Sequence, residues 1–67
     1  MDNNFKLFMN NLWGSNGTLI KGLGTIVAVR MKYGKEIQAT IRCGSGEDDF
    51  ILVDGSDLYK EYPNIFS

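Results

Sequence analysis

The stretch Thr25–Cys43, TIVAVRMKYGKEIQATIRC, constrains the fold of this chain more than any other. It carries most of the β-branched residues and most of the basic charge, and it reads as two strands joined at Lys32-Tyr33-Gly34-Lys35. Val27, Val29 and Met31 alternate with Ala28, Arg30 and Lys32, and Ile37, Ala39 and Ile41 alternate with Gln38, Thr40 and Arg42, the period of half-buried strands. Residues opposite one another in an antiparallel pair share a face. A two-residue Gly34-Lys35 loop sets Val29 opposite Thr40 and Val27 opposite Arg42, mixing apolar with polar faces. A three-residue loop, Lys32-Tyr33-Gly34, pairs Val29 with Ile37 and Val27 with Ala39 and gives Gly34 the position that needs positive φ. The expected inner face is therefore Val27, Val29, Ile37, Ala39 and Ile41, with Arg30, Gln38, Thr40 and Arg42 outside.

A chain of 67 residues is expected to form one domain, 1–67, and a domain that small buries only a modest fraction of its surface. Disulfides, metals or self-association usually make up the shortfall. The lone Cys43 forms no intrachain disulfide and points either to a reducing compartment, with a cytoplasmic location expected, or to an unimportant thiol. With no histidine, a zinc site is excluded in practice. No metal or cofactor is expected, and stability falls to a closed β core or to oligomerisation.

The net charge of −1 conceals an asymmetry. Lys21, Arg30, Lys32, Lys35 and Arg42 against Glu36 give residues 21–42 a net +4. Glu47, Asp48, Asp49, Asp54, Asp57 and Glu61 against Lys60 give residues 43–67 a net −5. Each segment solvates its own surface, or the basic one faces a polyanion. A pI near 5.1 argues against general nucleic-acid affinity.

Met1-Asp2-Asn3-Asn4 offers no apolar core for a secretory signal, and no apolar run approaches the ~20 residues of a membrane span. In residues 4–13, Phe5, Phe8, Met9 and Leu12 fall on one helical face. Asp2, Asn3 or Asn4 is the expected cap and Gly14 the stop. So short a helix must dock to persist, either over an end of the barrel or, with Trp13, against a partner. Thr18-Leu19-Ile20-Lys21 starts a strand, and Gly22-Leu23-Gly24 reads as a bulge or bend, since residue 27 is Val where a dinucleotide loop needs a third Gly. Cys43–Asp49 is an acidic turn lacking the calcium-loop spacing. Phe50-Ile51-Leu52-Val53 has no polar interruption and is expected to be covered on both faces. Leu58-Tyr59 begins one helical turn or a last strand, and 63–67 is a tail packed back on a barrel spanning 18–62. The fold class expected is mainly β, a small SH3-like or Sm-like barrel of 4–5 antiparallel strands behind a short helix.

Catalysis is not expected. There is no histidine for proton transfer near neutrality. Ser15, Ser45, Ser56 and Ser67 lack a base, and Cys43, at a strand end, reads as a half-buried inert thiol.

Parts of the chain resemble the bacterial Sm-like RNA chaperones, the Hfq proteins. Phe8-Met9-Asn10-Asn11-Leu12 is similar to that family's Phe-Leu-Asn-x-Leu helix, and Tyr33-Gly34-Lys35-Glu36-Ile37-Gln38-Ala39-Thr40-Ile41 to its Asn-Gly-x-x-Leu-Gln-Gly-x-Ile hairpin. Phe50-Ile51-Leu52-Val53 and Tyr59-Lys60 echo its later strands. Where the family has Tyr-Lys-His, this chain has Tyr59-Lys60-Glu61, and Ala39 replaces a bending glycine. The resemblance implies a small barrel, and RNA contact at Tyr33, Gln38 and Lys60.

Two functions are weighed. The first is a non-enzymatic protein-interaction module, such as a small accessory or inhibitor protein of a mobile element, that binds a protein partner or itself. Aromatic and Arg residues dominate interface hot spots, which nominates Trp13, Arg30, Tyr33, Tyr59 and Tyr62. The alternative is RNA or other nucleic-acid binding through the basic hairpin face, with Arg30, Lys32, Tyr33, Gln38, Arg42 and Lys60. A membrane partner is not expected, because the polar side of the N-terminal helix has only Lys6 as a cation.

Overall fold

A computed structural model describes residues 3–66. Asp2, one of the capping candidates, and Ser67, the end of the expected tail, lie outside the described residues. In chain order the elements are helix α1 (Asn3–Trp13), strands β1 (Leu19–Ile20), β2 (Gly24–Lys32), β3 (Glu36–Arg42) and β4 (Phe50–Asp54), and helix α2 (Gly55–Glu61). The four strands form one antiparallel meander, β1-β2-β3-β4, curled into a half-barrel. The barrel expectation is met in that coarser form. Of the two readings of Leu58-Tyr59, the helical one holds. No helix is long and apolar enough to cross a membrane among the described residues.

The apolar stripe of α1 docks as its spacing predicts. Phe8 and Leu12 are buried, with Met9 packed beside them. Asn3 and Asn4 lie inside the helix rather than capping it. At its far end the stop is made by Ser15 more than by Gly14: the buried Ser15 hydroxyl donates to the Leu12 carbonyl at 2.5 Å, and the Ser15 N–H reaches the same oxygen at 3.2 Å. The Leu12 carbonyl, one of the orphan acceptors at the helix end, is thereby satisfied twice without exposing the core.

Ile20 to Leu23 is a turn closed by Leu23 N–H on Ile20 C=O at 2.9 Å, with Gly22 at φ 87°, where a type II turn needs a positive value. Gly24 then lies against β3 so closely that a Cβ there would press into the Arg42 carbonyl and sit 2.9 Å from Ile41 Cγ2. The Gly-x-Gly is thus a bend and a close approach of two backbones, as its position before a β-branched run suggests.

The hairpin has the expected parity but a different register. Lys32 pairs with Glu36, Met31 with Ile37 and Val29 with Ala39, so the loop is Tyr33-Gly34-Lys35 and the pairing slips by two residues from the expected one. Tyr33 (φ 53°) and Gly34 (φ 79°) both take positive φ, and Lys35 N–H closes on Lys32 C=O. That combination is what a type I′ turn requires.

A second correction concerns Val27. The register shifts between Ile26 and Ala28, so Val27 is the extra residue of a β-bulge and Ile26 faces Ile41. Ile26, not Val27, is the fully buried residue of β2. The core is Phe8, Leu12, Ile20, Ile26, Ala39, Ile41 and Leu58, with Val29 and Ile37 packed partly buried against it. It lies between the inner face of the sheet and the two helices.

Candidate functional site

The most exposed apolar element is β4, the strand at one edge of the sheet. Phe50 is 45 % exposed, Ile51 39 % and Leu52 57 %. The expectation that both faces of this strand are covered is therefore corrected. Register places Phe50, Leu52 and Asp54 on the outer face beside Arg42, Thr40 and Gln38, and Ile51 and Val53 on the inner face beside Ile41 and Ala39.

The backbone direction at this edge follows from one bond. Cys43 N–H donates to Asp49 C=O at 2.8 Å, one step beyond the Arg42–Phe50 pair in the same register. Alternate pairs of an antiparallel ladder exchange hydrogen bonds, so Ile41–Ile51 and Ala39–Val53 are the bonded pairs. The N–H and C=O of Phe50 and Leu52, and the N–H of Asp54, point away from β3. The Asp54 carbonyl belongs to the first turn of α2, for which Asp54 is the N-cap residue.

The two sheet edges differ in how they are protected. β1 is two residues long and breaks into a turn at once. β4 carries none of the usual guards of an edge: no Lys, no Pro, no bulge, and no charge before Asp54. Charges flank it instead. The Arg42 guanidinium lies 6.0 Å from the Phe50 ring centroid and donates to the Ser45 carbonyl at 3.3 Å. Lys32 Nζ, on β2, reaches over β3 to Asp54 Oδ1 at 3.7 Å.

The residues nominated from sequence for partner binding are not brought together. Arg30 sits on the outer face opposite Gln38, and Tyr33 is at the hairpin tip, 87 % exposed, with Lys32 Nζ 5.4 Å from its ring centroid. Tyr59 lies on the other side of the sheet, its ring edge-on to Phe5 at 5.3 Å and Phe8 at 5.1 Å. Tyr62 packs on the same core. Trp13 ends α1, nearly half exposed.

Of the nucleic-acid candidates, Arg30, Lys32, Gln38 and Arg42 share the outer face, but so do Glu36, opposite Lys32, and Asp54. Lys60 is on α2, away from them. Cys43 is exposed rather than half-buried. Among the described residues no group of His, Cys, Asp and Glu could hold a metal. A shallow groove of about 310 Å³ between α1 and the C-terminal segment is lined by Leu7, Asn11, Tyr59 and Phe66 among others.

Sequence reasoning missed Phe50, Ile51 and Leu52 as site residues. The signal was present in the uninterrupted apolar run, read as a strand covered within the chain. Comparison with known proteins finds no matching family model, no matching curated protein and no matching solved structure.

Proposed function

We propose that this chain is a non-enzymatic protein-interaction module whose working surface is the β4 edge. The observation that carries the reading is an edge strand with three consecutive exposed apolar side chains and outward-pointing backbone groups. Such an edge is a template for β-strand addition: main-chain hydrogen bonds give affinity and alternate side chains give specificity. A small accessory or inhibitor protein needs no more than this. The finer fold assignment, an SH3-like or Sm-like barrel, belongs to the same proposal, and the helix followed by a bent, bulged meander supports it.

Capture from extracts of the source cells by the tagged protein and by Leu52→Lys tests the module. The expected result is a partner, another copy included, held by the wild type and lost by the variant. Equal capture by both counts against the edge.

The basic outer face supports nucleic-acid binding as the second reading, because exposed Arg30 and Arg42 lie on one face with Phe50 under the Arg42 guanidinium. Titration with single-stranded RNA at low and moderate salt separates the two readings. Salt-sensitive binding lost in Arg30→Ala and Arg42→Ala favours this second one.

A further inference from the structure

We infer that the β4 edge pairs with β4 of a second copy of this chain, antiparallel, with the two-fold axis passing Leu52. The inference rests on the reading of β4 as a protein-binding edge and names its occupant.

The register follows from which backbone groups point outward. Only pairings that bring Phe50, Leu52 and Asp54 to one another use the free N–H and C=O groups, since those of Ile51 and Val53 are committed to β3. A two-fold at Phe50 would set Leu52 against Asp48 and Ile51 against Asp49 of the other copy. One at Asp54 would run β4 into α2. One at Ile51 would pair Phe50 with Leu52 but set Asp48 against Asp54 and Asp49 against Val53, and one at Val53 would set Leu52 against Asp54 and Phe50 against Ser56 of α2. A two-fold at Leu52 sets Leu52 against Leu52, Ile51 against Val53 and Phe50 against Asp54. Each apolar side chain of the strand then gains an apolar neighbour on its own face, except Phe50.

Charge completes the match at that position. Phe50 is flanked on β3 by Arg42, and the two-fold brings Asp54 of the second copy to its other side. Arg42 already lies against the Phe50 ring, and Lys32 shows that a long cationic side chain on this face spans an intervening strand to reach a carboxylate. The arrangement places Arg42 of each copy within the same reach of Asp54 of the other, twice over. The strand is thus self-complementary in backbone, in apolar faces and in charge. The result is one sheet running continuously through both half-barrels.

The contact is small. Five residues a side lie well below the ~20–30 of a standard interface, so the dimer is weak, with a dissociation constant on the order of 10 to 1,000 µM.

Sedimentation equilibrium on the full chain up to about 1 mM is the first test, since that spans the range expected for so small an interface. A monomer–dimer equilibrium is expected, weakened about thirtyfold or more in Leu52→Lys, as for a central hot-spot residue. About tenfold weakening is expected in Arg42→Glu, which puts like charges against Asp54. Register is read separately by mild oxidation of single-cysteine variants in a Cys43→Ser background. Leu52→Cys is expected to cross-link, because directly bonded partners have Cα atoms ~5.5 Å apart, within disulfide reach. Phe50→Cys is not, because its two copies are offset by four residues, roughly 14 Å.

Cross-linking at Phe50 as fast as at Leu52 overturns the register. A strict monomer at the highest concentration overturns self-pairing. If that monomer still captures a protein through β4, and Leu52→Lys does not, only the choice of occupant has failed. If β4 captures nothing, the module reading fails with it.

Discussion

Replacing Gly24 by Ala tests whether the half-barrel is closed as described. The added Cβ would press directly on the Arg42 carbonyl oxygen, with the carbonyl carbon and Ile41 Cγ2 each 2.9 Å away. Ordinary contact begins at 3.4 Å, so even the carbon must yield by about half an ångström and the oxygen by more. The obstacle is backbone on the one side and a fully buried isoleucine on the other, and neither can rotate aside. Overpacking a tight site costs about 1–3 kcal/mol, and prising β3 from β2 at this point puts the loss at the upper end, about 3 kcal/mol. A chain of 67 residues is stabilised by only about 3–10 kcal/mol in all. Urea unfolding, followed by circular dichroism and by the fluorescence of Trp13, should therefore show Gly24→Ala losing about 3 kcal/mol, between a third and all of the chain's stability. Gly14→Ala is the control. No heavy atom lies within 4 Å of a Cβ there and φ is not positive, so a change within about 0.5 kcal/mol is expected. A Gly24→Ala protein with the wild-type midpoint would refute the close approach of β2 to β3.

Three further substitutions probe other parts of the fold. Leu12→Ala empties a fully buried site under α1 and should cost about 3–5 kcal/mol by the same urea titration. Ser15→Ala removes the hydroxyl that donates to Leu12 C=O and should cost about 1 kcal/mol. Tyr33→Asn relieves a bulky residue at positive φ and should raise the thermal midpoint, by the equivalent of about 0.5–1 kcal/mol. A drop would mean that the Lys32–Tyr33 contact outweighs the backbone strain.

The hairpin's parity was legible because a period-two pattern admits only one face for Val29, Ile37 and Ala39. Its register was not. The Lys32-Tyr33-Gly34 and Tyr33-Gly34-Lys35 loops both give Gly34 positive φ and keep parity, and only the backbone reveals Tyr33 in the left-handed region as well. The bulge was hidden for a related reason. Thr25-Ile26-Val27 is β-branched throughout, so either Ile26 or Val27 serves as a core residue, and the need to pair β1 and β3 at once decides between them. The helical face of α1 was plain because Phe5, Phe8, Met9 and Leu12 share one face only at helical spacing. The candidate site was the least legible part. A run such as Phe50–Val53 has the same composition whether it is buried inside one chain or exposed until a second arrives. Aromatic residues drew attention to Tyr59 and Tyr62, which the core in fact uses.

The central claim is that β4 is an open edge whose backbone pairs with another strand. Residue-resolved amide hydrogen exchange in dilute and concentrated protein tests it most directly. In dilute solution, about 10 µM, the amides of Phe50, Leu52 and Asp54 should exchange fast and those of Ile51 and Val53 slowly, in alternation along one strand. At about 1 mM the Leu52 and Asp54 amides should slow by about two- to sevenfold as the second strand docks, as the expected dissociation constant requires, with Ile51 and Val53 little changed. A Leu52 amide as protected as Ile51 in dilute protein, or equally fast at both concentrations, would contradict the account.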